Sequence, residues 1–296
     1  PRDTHVRKKP MDRFFIITNN QKDVGLVITD KIRQYLEHHG RTCQIQIAGE
    51  KKEGPYHYTN PDKIPDDTDC IIVLGGDGTL LQAARDVVHK GIPLLGINLG
   101  TLGFLAEVDR QNLYPALDKL MADEYSIDER MMLIGRAFHE GELIGEDIAL
   151  NDIVISREGR LRVLKFINYV NGEYLNVYNA DGVIVSTPTG STGYSLSAGG
   201  PIVSPSASMM IMTPLAPHTL NSRSVVFSPG DVLCVEVGEG RKVSEEQAIV
   251  SFDGDTMLRM VTKDKLIIEK ANVKTRIVRL SNLSFVEVLR KKMRNH

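Results

Sequence analysis

The chain is short of the features that mark several protein classes. Its 296 residues include three cysteines, Cys43, Cys70 and Cys234. They are scattered, with no Cys-x-x-Cys pair and no metal-ligand spacing, so no protein-bound metal is expected. Cys70 lies inside an apolar run and reads as a buried thiol, which suits a reducing cytoplasm. Charge of one sign is scarce too. Thirty-six basic residues face 38 acidic ones, a net charge of −2, which implies neither nucleic acid nor a membrane surface as partner. No apolar run is long enough to span a bilayer. There is no internal repeat and no low-complexity segment. Residues 1–10 are basic but lack the apolar centre of a signal peptide. Met11 looks like a natural start, so these ten residues are expected to be a disordered or appended extension outside the fold. The length suits one large domain or two ordinary ones, with the composition of a soluble globular protein.

The stretch around which the first half is organised is Gly75-Gly76-Asp77-Gly78-Thr79. It follows the apolar run Cys70–Leu74 and precedes a helical pattern from Leu80 to Val88, which together make a βα junction. Glycines permit a sharp turn and a close approach of N–H groups to a ligand. Free N–H groups beside a helix N-terminus suit an oxyanion such as phosphate. Asp77 is the odd member, since a carboxylate repels phosphate unless a cation intervenes or the carboxylate handles a proton. The bland alternative is a plain turn with Asp77 as helix N-cap. A P-loop is excluded because no lysine follows the last glycine. A dinucleotide fingerprint of the Rossmann type is excluded because Leu81 stands where the third glycine belongs.

Strand and helix patterns alternate before and after this turn. Phe14–Ile17 reads as a buried strand. Val24, Val27, Ile28, Ile32, Tyr35 and Leu36 recur at helical spacing up to Gly40. Cys43–Ala48 and Pro93–Asn98 read as further strands, and Leu113–Met121 as a helix. The polar stretch 51–68 reads as a surface loop. Such alternation predicts a parallel sheet with helices on both faces, and ligands at the carboxyl ends of its strands. A second glycine-bearing loop, Gly96 to Phe104, leaves the sheet on that same edge. From about residue 130 strands dominate, over 130–138, 143–157 and 161–179. Asn171-Gly172 and Asp253-Gly254 mark hairpins. This half is expected to be an all-β, sandwich-like domain. The predicted division is an α/β domain over 11–128, completed by a returning tail over 266–296, and a β-rich domain over 129–265. Ser284 and Glu287 have the spacing of a capping box opening a last helix.

Within the β-rich half a second run carries chemistry, from Asp181 through Thr187-Pro188-Thr189-Gly190-Ser191-Thr192-Gly193-Tyr194-Ser195-Leu196-Ser197. It reads as a strand, a hydroxyl-rich turn and a short helix capped by Ser191 or Thr192. Hydroxyls and free N–H groups gathered there suit sugar or phosphate oxygens. The bland alternative is a well-capped turn. Asn151-Asp152 is a polar pair inside the strand pattern Ile148–Ile155, where such pairs are depleted. It is either a bulge, or an amide for a base beside a carboxylate for ribose hydroxyls.

In this order and spacing, the Gly-Gly-Asp-Gly-Thr turn, Asn151-Asp152 and the Thr187–Tyr194 run resemble the NAD kinases over residues 11–296. The resemblance implies transfer of a phosphoryl group, from ATP with Mg²⁺ or from polyphosphate, to the 2′-hydroxyl of NAD's adenosine ribose. It makes Asp77 the proton acceptor, with Gly75, Gly76, Gly78 and Thr79 around it and Phe104 at the adenosine end. Asn151 and Asp152 would bind the dinucleotide. Thr189, Thr192, Gly193, Tyr194, Ser195, Leu196 and Ser197 would surround adenine and ribose. Asp181 would reach the nicotinamide riboside of a neighbouring subunit in a homodimer or homotetramer. Arg162 and Asn179 fall at contact positions of variable identity. Three departures stand out: Asp152 where the family has Glu, Gly193 where it has Ala, and Asp255 where Gln is common. Competing readings are a lipid kinase sharing the glycine-rich turn, which would want an apolar mouth, and a non-catalytic NAD-binding module, which has little use for Asp77.

Overall fold

Five strands near the N-terminus run parallel because each is joined to the next by a crossing segment. The computed structural model describes residues 10–48, 58–100, 103–159, 163–219, 222–240, 246–281 and 283–294. The chain divides into two compact units, residues 1–129 with 275–296, and residues 130–274. In the first unit the strands are β1 (Arg13–Thr18), β2 (Thr42–Ile47), β3 (Cys70–Gly75), β4 (Leu94–Asn98) and β5 (Val108–Asp109). β1 pairs with β2 and β3, β3 with β4, and β4 with β5, all parallel. The helices are α1 (Val27–His38), α2 (Asp77–Val87) and α3 (Leu113–Met121). Side chains alternate across a strand, which assigns the faces. Leu95 and Ile97 join Ile32 and Leu36 of α1 and Leu117 and Leu120 of α3 in one core cluster. The opposite face carries Gly96, where an added Cβ would lie 2.9 Å from Leu80 of α2. Helices therefore cover both faces, as the alternating pattern predicts.

Val24 departs from expectation. It is 77% exposed and stands outside α1. Gly25 and Leu26 take left-handed φ values of 71° and 56°, so the helix can start only at Val27.

The second unit is antiparallel throughout its described pairings. Its strands are β6 (Ser126–His139, entering from the first unit), β7 (Glu142–Ala149), β8 (Asp152–Arg157), β9 (Leu164–Val170), β10 (Glu173–Ala180), β11 (Gly182–Ser186), β12 (Met210–Leu215), β13 (Val225–Phe227), β14 (Leu233–Val237), β15 (Gln247–Phe252), β16 (Thr256–Val261) and β17 (Lys265–Arg279). One sheet runs β13-β12-β11-β8-β15-β16, and another path runs β10-β9-β14-β17. Ile153, Val183, Met212 and Phe252 of the first share one core with Phe166, Leu233, Val235 and Ile268 of the second. The sandwich expectation holds. The hairpin expected at Asn171-Gly172 forms between β9 and β10, whereas the stretch expected as strand over 143–157 is broken in two. Asn171 and Gly172 have φ of 52° and 84°, the double left-handed turn that a two-residue hairpin needs. Leu150 and Asn151 interrupt the other stretch.

β17 carries the chain back, with Ile277 beside Leu94 of β4. After it comes a last helix, Phe285–Arg294. Its capping box is made: the Ser284 N–H donates to Glu287 at 2.7 Å, and the Glu287 N–H donates to the Ser284 hydroxyl at 3.2 Å. The return is latched by Glu107, whose carboxylate accepts the N–H groups of Leu280 and Ser281 at 2.9 Å each, and the Ser281 hydroxyl. Replacing one acceptor oxygen leaves a donor unpaired, at a cost of about 1–3 kcal/mol. Glu107→Gln is therefore expected to speed amide hydrogen exchange at Leu280 and Ser281 by about tenfold or more. Unchanged exchange there would refute the latch.

Candidate active site

In the first unit the site begins where β3 ends. Thr79 of α2 lies so close that a Cβ on Gly75 would sit 2.3 Å from its hydroxyl oxygen. Gly76 occupies the cap position in extended conformation and offers no side chain. Asp77 is the first helical residue, and its carboxylate does not cap its own helix. It turns to the segment after β4 instead. The Phe104 N–H donates to Oδ2 at 2.8 Å and the Ala106 N–H to Oδ1 at 3.2 Å, while the Leu105 N–H is 3.4 Å from both. The N-cap alternative is thereby set aside. An ionised carboxylate has about four acceptor positions, so these donors fix its direction and leave capacity for a hydroxyl proton.

Gly103 makes this grip possible. A Cβ there would fall 2.0–2.1 Å from the Asp77 carboxylate atoms, which no side chain tolerates. At Gly78, by contrast, nothing lies within 4 Å of an added Cβ. Its missing side chain opens space rather than relieving a clash. Phe104 is half-buried, with the ammonium of Lys292 lying 5.3 Å from its ring centroid.

Lys22 was not singled out by the sequence. Its ammonium stands 3.0 Å from the point where a Gly76 Cβ would be. The loop that carries it is held by buried Asp23, which accepts the N–H groups of Ile28 and Thr29 at 3.0 and 2.8 Å.

The second unit assembles its own constellation around the break between β7 and β8. The Thr187 N–H donates to the Asn151 carbonyl at 2.9 Å, and its hydroxyl to the Leu150 carbonyl at 2.6 Å. Gly190 presses on the same backbone, since a Cβ there would lie 2.1 Å from the Asn151 oxygen. Around the Gly193 Cβ position stand Asn151 Nδ2 at 3.6 Å and Asp152 Oδ2 at 3.8 Å. Asn151 Oδ1 is buried with no hydrogen-bond partner, and buried acceptors ordinarily have one. Asp152 is only 5% exposed. Burial, with the Asp253 carboxylate nearby as a second cause, pushes its pKa up to about 7. Tyr194, Leu196 and Ser197 are exposed, on the one-turn helix Tyr194–Ser197.

Not all the expected hydroxyls face outward. Ser191 or Thr192 is the expected cap, but Gly193 holds that position without a side-chain bond. The Ser191 hydroxyl is occupied by the Pro188 carbonyl at 2.8 Å and the Val203 N–H at 3.0 Å. Ser195 is buried against Thr213, and Thr189 accepts from Arg130 at 3.4 Å. The turn uses these groups to hold itself together. Asp181 and Asn179 lie apart from it. Ser186 pairs with Asp152 at one end of β11, while Asp181 precedes the other end, about 17 Å along the strand. There the Arg157 Nε–H donates to the Asp181 carboxylate at 2.8 Å. Arg162 lies outside the described residues, as do Thr101 and Leu102 of the second loop.

Two family models match the chain. The ATP-NAD kinase N-terminal domain matches residues 13–125, and the ATP-NAD kinase C-terminal domain matches residues 150–280. An NAD kinase of Lachnospira eligens is 45% identical, over 96% of this chain and all of that one. One of Agathobacter rectalis is 46% identical, over 97% of this chain and all of that one. Among solved structures, yeast NADH kinase complexed with NADH superposes with a TM-score of 0.75 at 22% identity, covering 97% of this chain and 88% of that one. An NAD kinase from Archaeoglobus fulgidus in complex with ATP gives 0.73 at 23% identity, covering 96% and 99%.

Asp152 gives this site a pH signature. Its folded pKa is raised, so its contribution to stability is complete below the unfolded value near 3.8 and is lost as pH rises through about 7. Asp152→Asn removes that loss. The melting temperature of the variant relative to wild type is expected to rise between pH 5 and pH 8, as followed by thermal unfolding at both. A difference that stays constant would contradict the assignment.

Proposed function

Because the chain belongs to the NAD kinase family, we propose that it transfers the terminal phosphoryl group of ATP, or of inorganic polyphosphate, to the 2′-hydroxyl of the adenosine ribose of NAD, producing NADP. The observation that carries this reading is Asp77, a half-buried carboxylate at a glycine-rich helix start, aimed by three backbone N–H groups. A carboxylate is a far weaker base than an alkoxide and does not strip the hydroxyl beforehand. Phosphoryl transfer through a loose transition state does not require it to. Asp77 orients the hydroxyl and takes its proton late, while positioning and charge neutralisation supply most of the acceleration.

The donor's phosphates need positive charge beside Asp77. Lys22, standing over Gly76, offers one source, and the Mg²⁺ of the MgATP substrate offers the other. Among the described residues no group of three or more His, Cys, Asp or Glu side chains gathers into a cage. An Mg²⁺ ion that arrives with the phosphates ordinarily keeps several waters. The unpaired Asn151 Oδ1 fits a donor such as an adenine amino group, and Asp152 fits the hydroxyls of a ribose. Thr189, Thr192, Gly193 and Tyr194 complete that subsite. The separation of Asp181 from Asp152 along β11 supports its service to a neighbouring copy, in a homodimer or homotetramer. No described helix is long and apolar enough to cross a membrane, and we read the enzyme as cytoplasmic.

Purified protein given ATP, Mg²⁺ and NAD is expected to form NADP. The same assay with diacylglycerol is expected to give no phosphorylated lipid. Asp77→Asn should lower turnover by about a hundredfold or more, the low end for loss of a general base, with NAD binding retained. Turnover like that of wild type would refute the role. Lys22→Met should raise the KM for MgATP by about tenfold, the scale of a lost charge-assisted contact, and an unchanged KM would remove Lys22 from the site.

A further inference from the structure

Asp253 enters the sequence reading only as half of a hairpin turn, and the family resemblance gives it no role. In the structure its carboxylate reaches across to the break between β7 and β8. The Asn151 N–H donates to Oδ1 at 2.7 Å, the Asp152 N–H to Oδ1 at 3.1 Å, and the Leu150 N–H to Oδ2 at 2.8 Å. The Asp253 N–H returns a bond to the Asp152 carbonyl at 2.9 Å. The turn that supplies it, Asp253-Gly254, has left-handed φ at both positions, 51° and 76°. A strand interruption leaves backbone donors without a ladder partner, and here one side chain collects three of them. It does so at the two residues whose side chains face Gly193.

We propose that Asp253 is a positioning residue of the dinucleotide site, and that the acidic pair it makes with Asp152 ties dinucleotide binding to the departure of a proton.

The inference rests on the reading of Asn151 and Asp152 as dinucleotide ligands. Asp152 faces Ser186 across β11, Gly193 from the hydroxyl-rich turn and Asp253 from the β15–β16 turn. Of these only Asp253 is charged, and it has the same sign. Arg130, the basic residue that reaches the turn, donates to Thr189. A buried carboxyl facing a like charge keeps its proton more firmly, and the Asp152 pKa of about 7 agrees with that geometry. A ribose diol brings two O–H donors, which an ionised carboxylate accepts and a protonated one accepts poorly. Binding therefore converts the Asp152 carboxylic acid to its carboxylate. The O–H bond of the acid is broken, the proton passes to solvent, and the sugar hydroxyls donate to the freed oxygens.

The test is calorimetric titration of NAD into the full chain at pH 7, in phosphate and in Tris, whose ionisation heats differ. Release of about half a proton per NAD is expected at pH 7, falling towards none by pH 8.5. Asp253→Asn, which keeps one acceptor oxygen and removes the like charge, should release markedly less at pH 7 and shift the pH profile of NAD affinity to lower pH. Asp253→Ala, which removes both oxygens, should weaken NAD binding by about tenfold or more while turnover at saturating NAD changes little. Binding of NAD without proton exchange in the wild type overturns the proton linkage, and wild-type affinity in Asp253→Ala overturns the positioning role. A wild type that binds no NAD overturns the underlying reading of the site as well, which keeps the two failures distinct.

Discussion

A carboxylate gripped by the backbone of another loop is the constraint on which the first unit depends. Asp77 belongs to the helix after β3, yet its direction is set by Phe104, Leu105 and Ala106 after β4. Neighbouring parallel strands bring those two segments to one sheet edge, and Gly103 removes the side chain that would keep them apart. The loop is steadied in turn by Glu107, one residue beyond the grip, through its bonds to the returning tail. A flexible acid would sample many directions. This one is held from the sheet and points one way.

The second unit meets a different constraint with the same device, a carboxylate used as a backbone anchor. At Asp253 the anchored groups are the N–H groups of an interrupted strand. The consequence is that two acids lie close in a buried place, which disfavours ionisation of one of them. The unit tolerates this at the point where Asn151 Oδ1 is also left unpaired. Local costs gathered in one spot are what a binding site ordinarily shows. They would be hard to account for in a turn whose only task was to close a hairpin.

Most of the fold was legible because it rests on local rules. Alternation of strand and helix gave the parallel unit. Asn171-Gly172 and Asp253-Gly254 gave hairpins, and Ser284 with Glu287 gave the last helix start. The start of α1 was missed because Gly25 and Leu26 both turn left-handed, and a hydrophobic period does not register that. Asp77, Asn151, Asp152 and the Thr189–Ser197 run could be singled out because each breaks a local expectation. Lys22, Gly103 and Asp253 act at a distance. Asp253 touches residues 101 to 103 positions away, and nothing beside it in the chain announces that. The same blindness explains Ser191, whose hydroxyl looked available and is held by Val203 twelve residues on.

β17 is one uninterrupted strand, and its last residues belong to the unit that the chain began with. On the ribosome, where synthesis proceeds at about 5–20 residues per second, the order of completion is therefore inverted. Residues 130–274 are all present before the N-terminal sheet receives Ile277 beside Leu94, and before Glu107 receives its partners. The nascent N-terminal half must wait with an open sheet edge until residue 277 has been made. A message cut short after the codon for residue 274 would yield a chain whose β-rich unit is whole and whose other unit is unfinished.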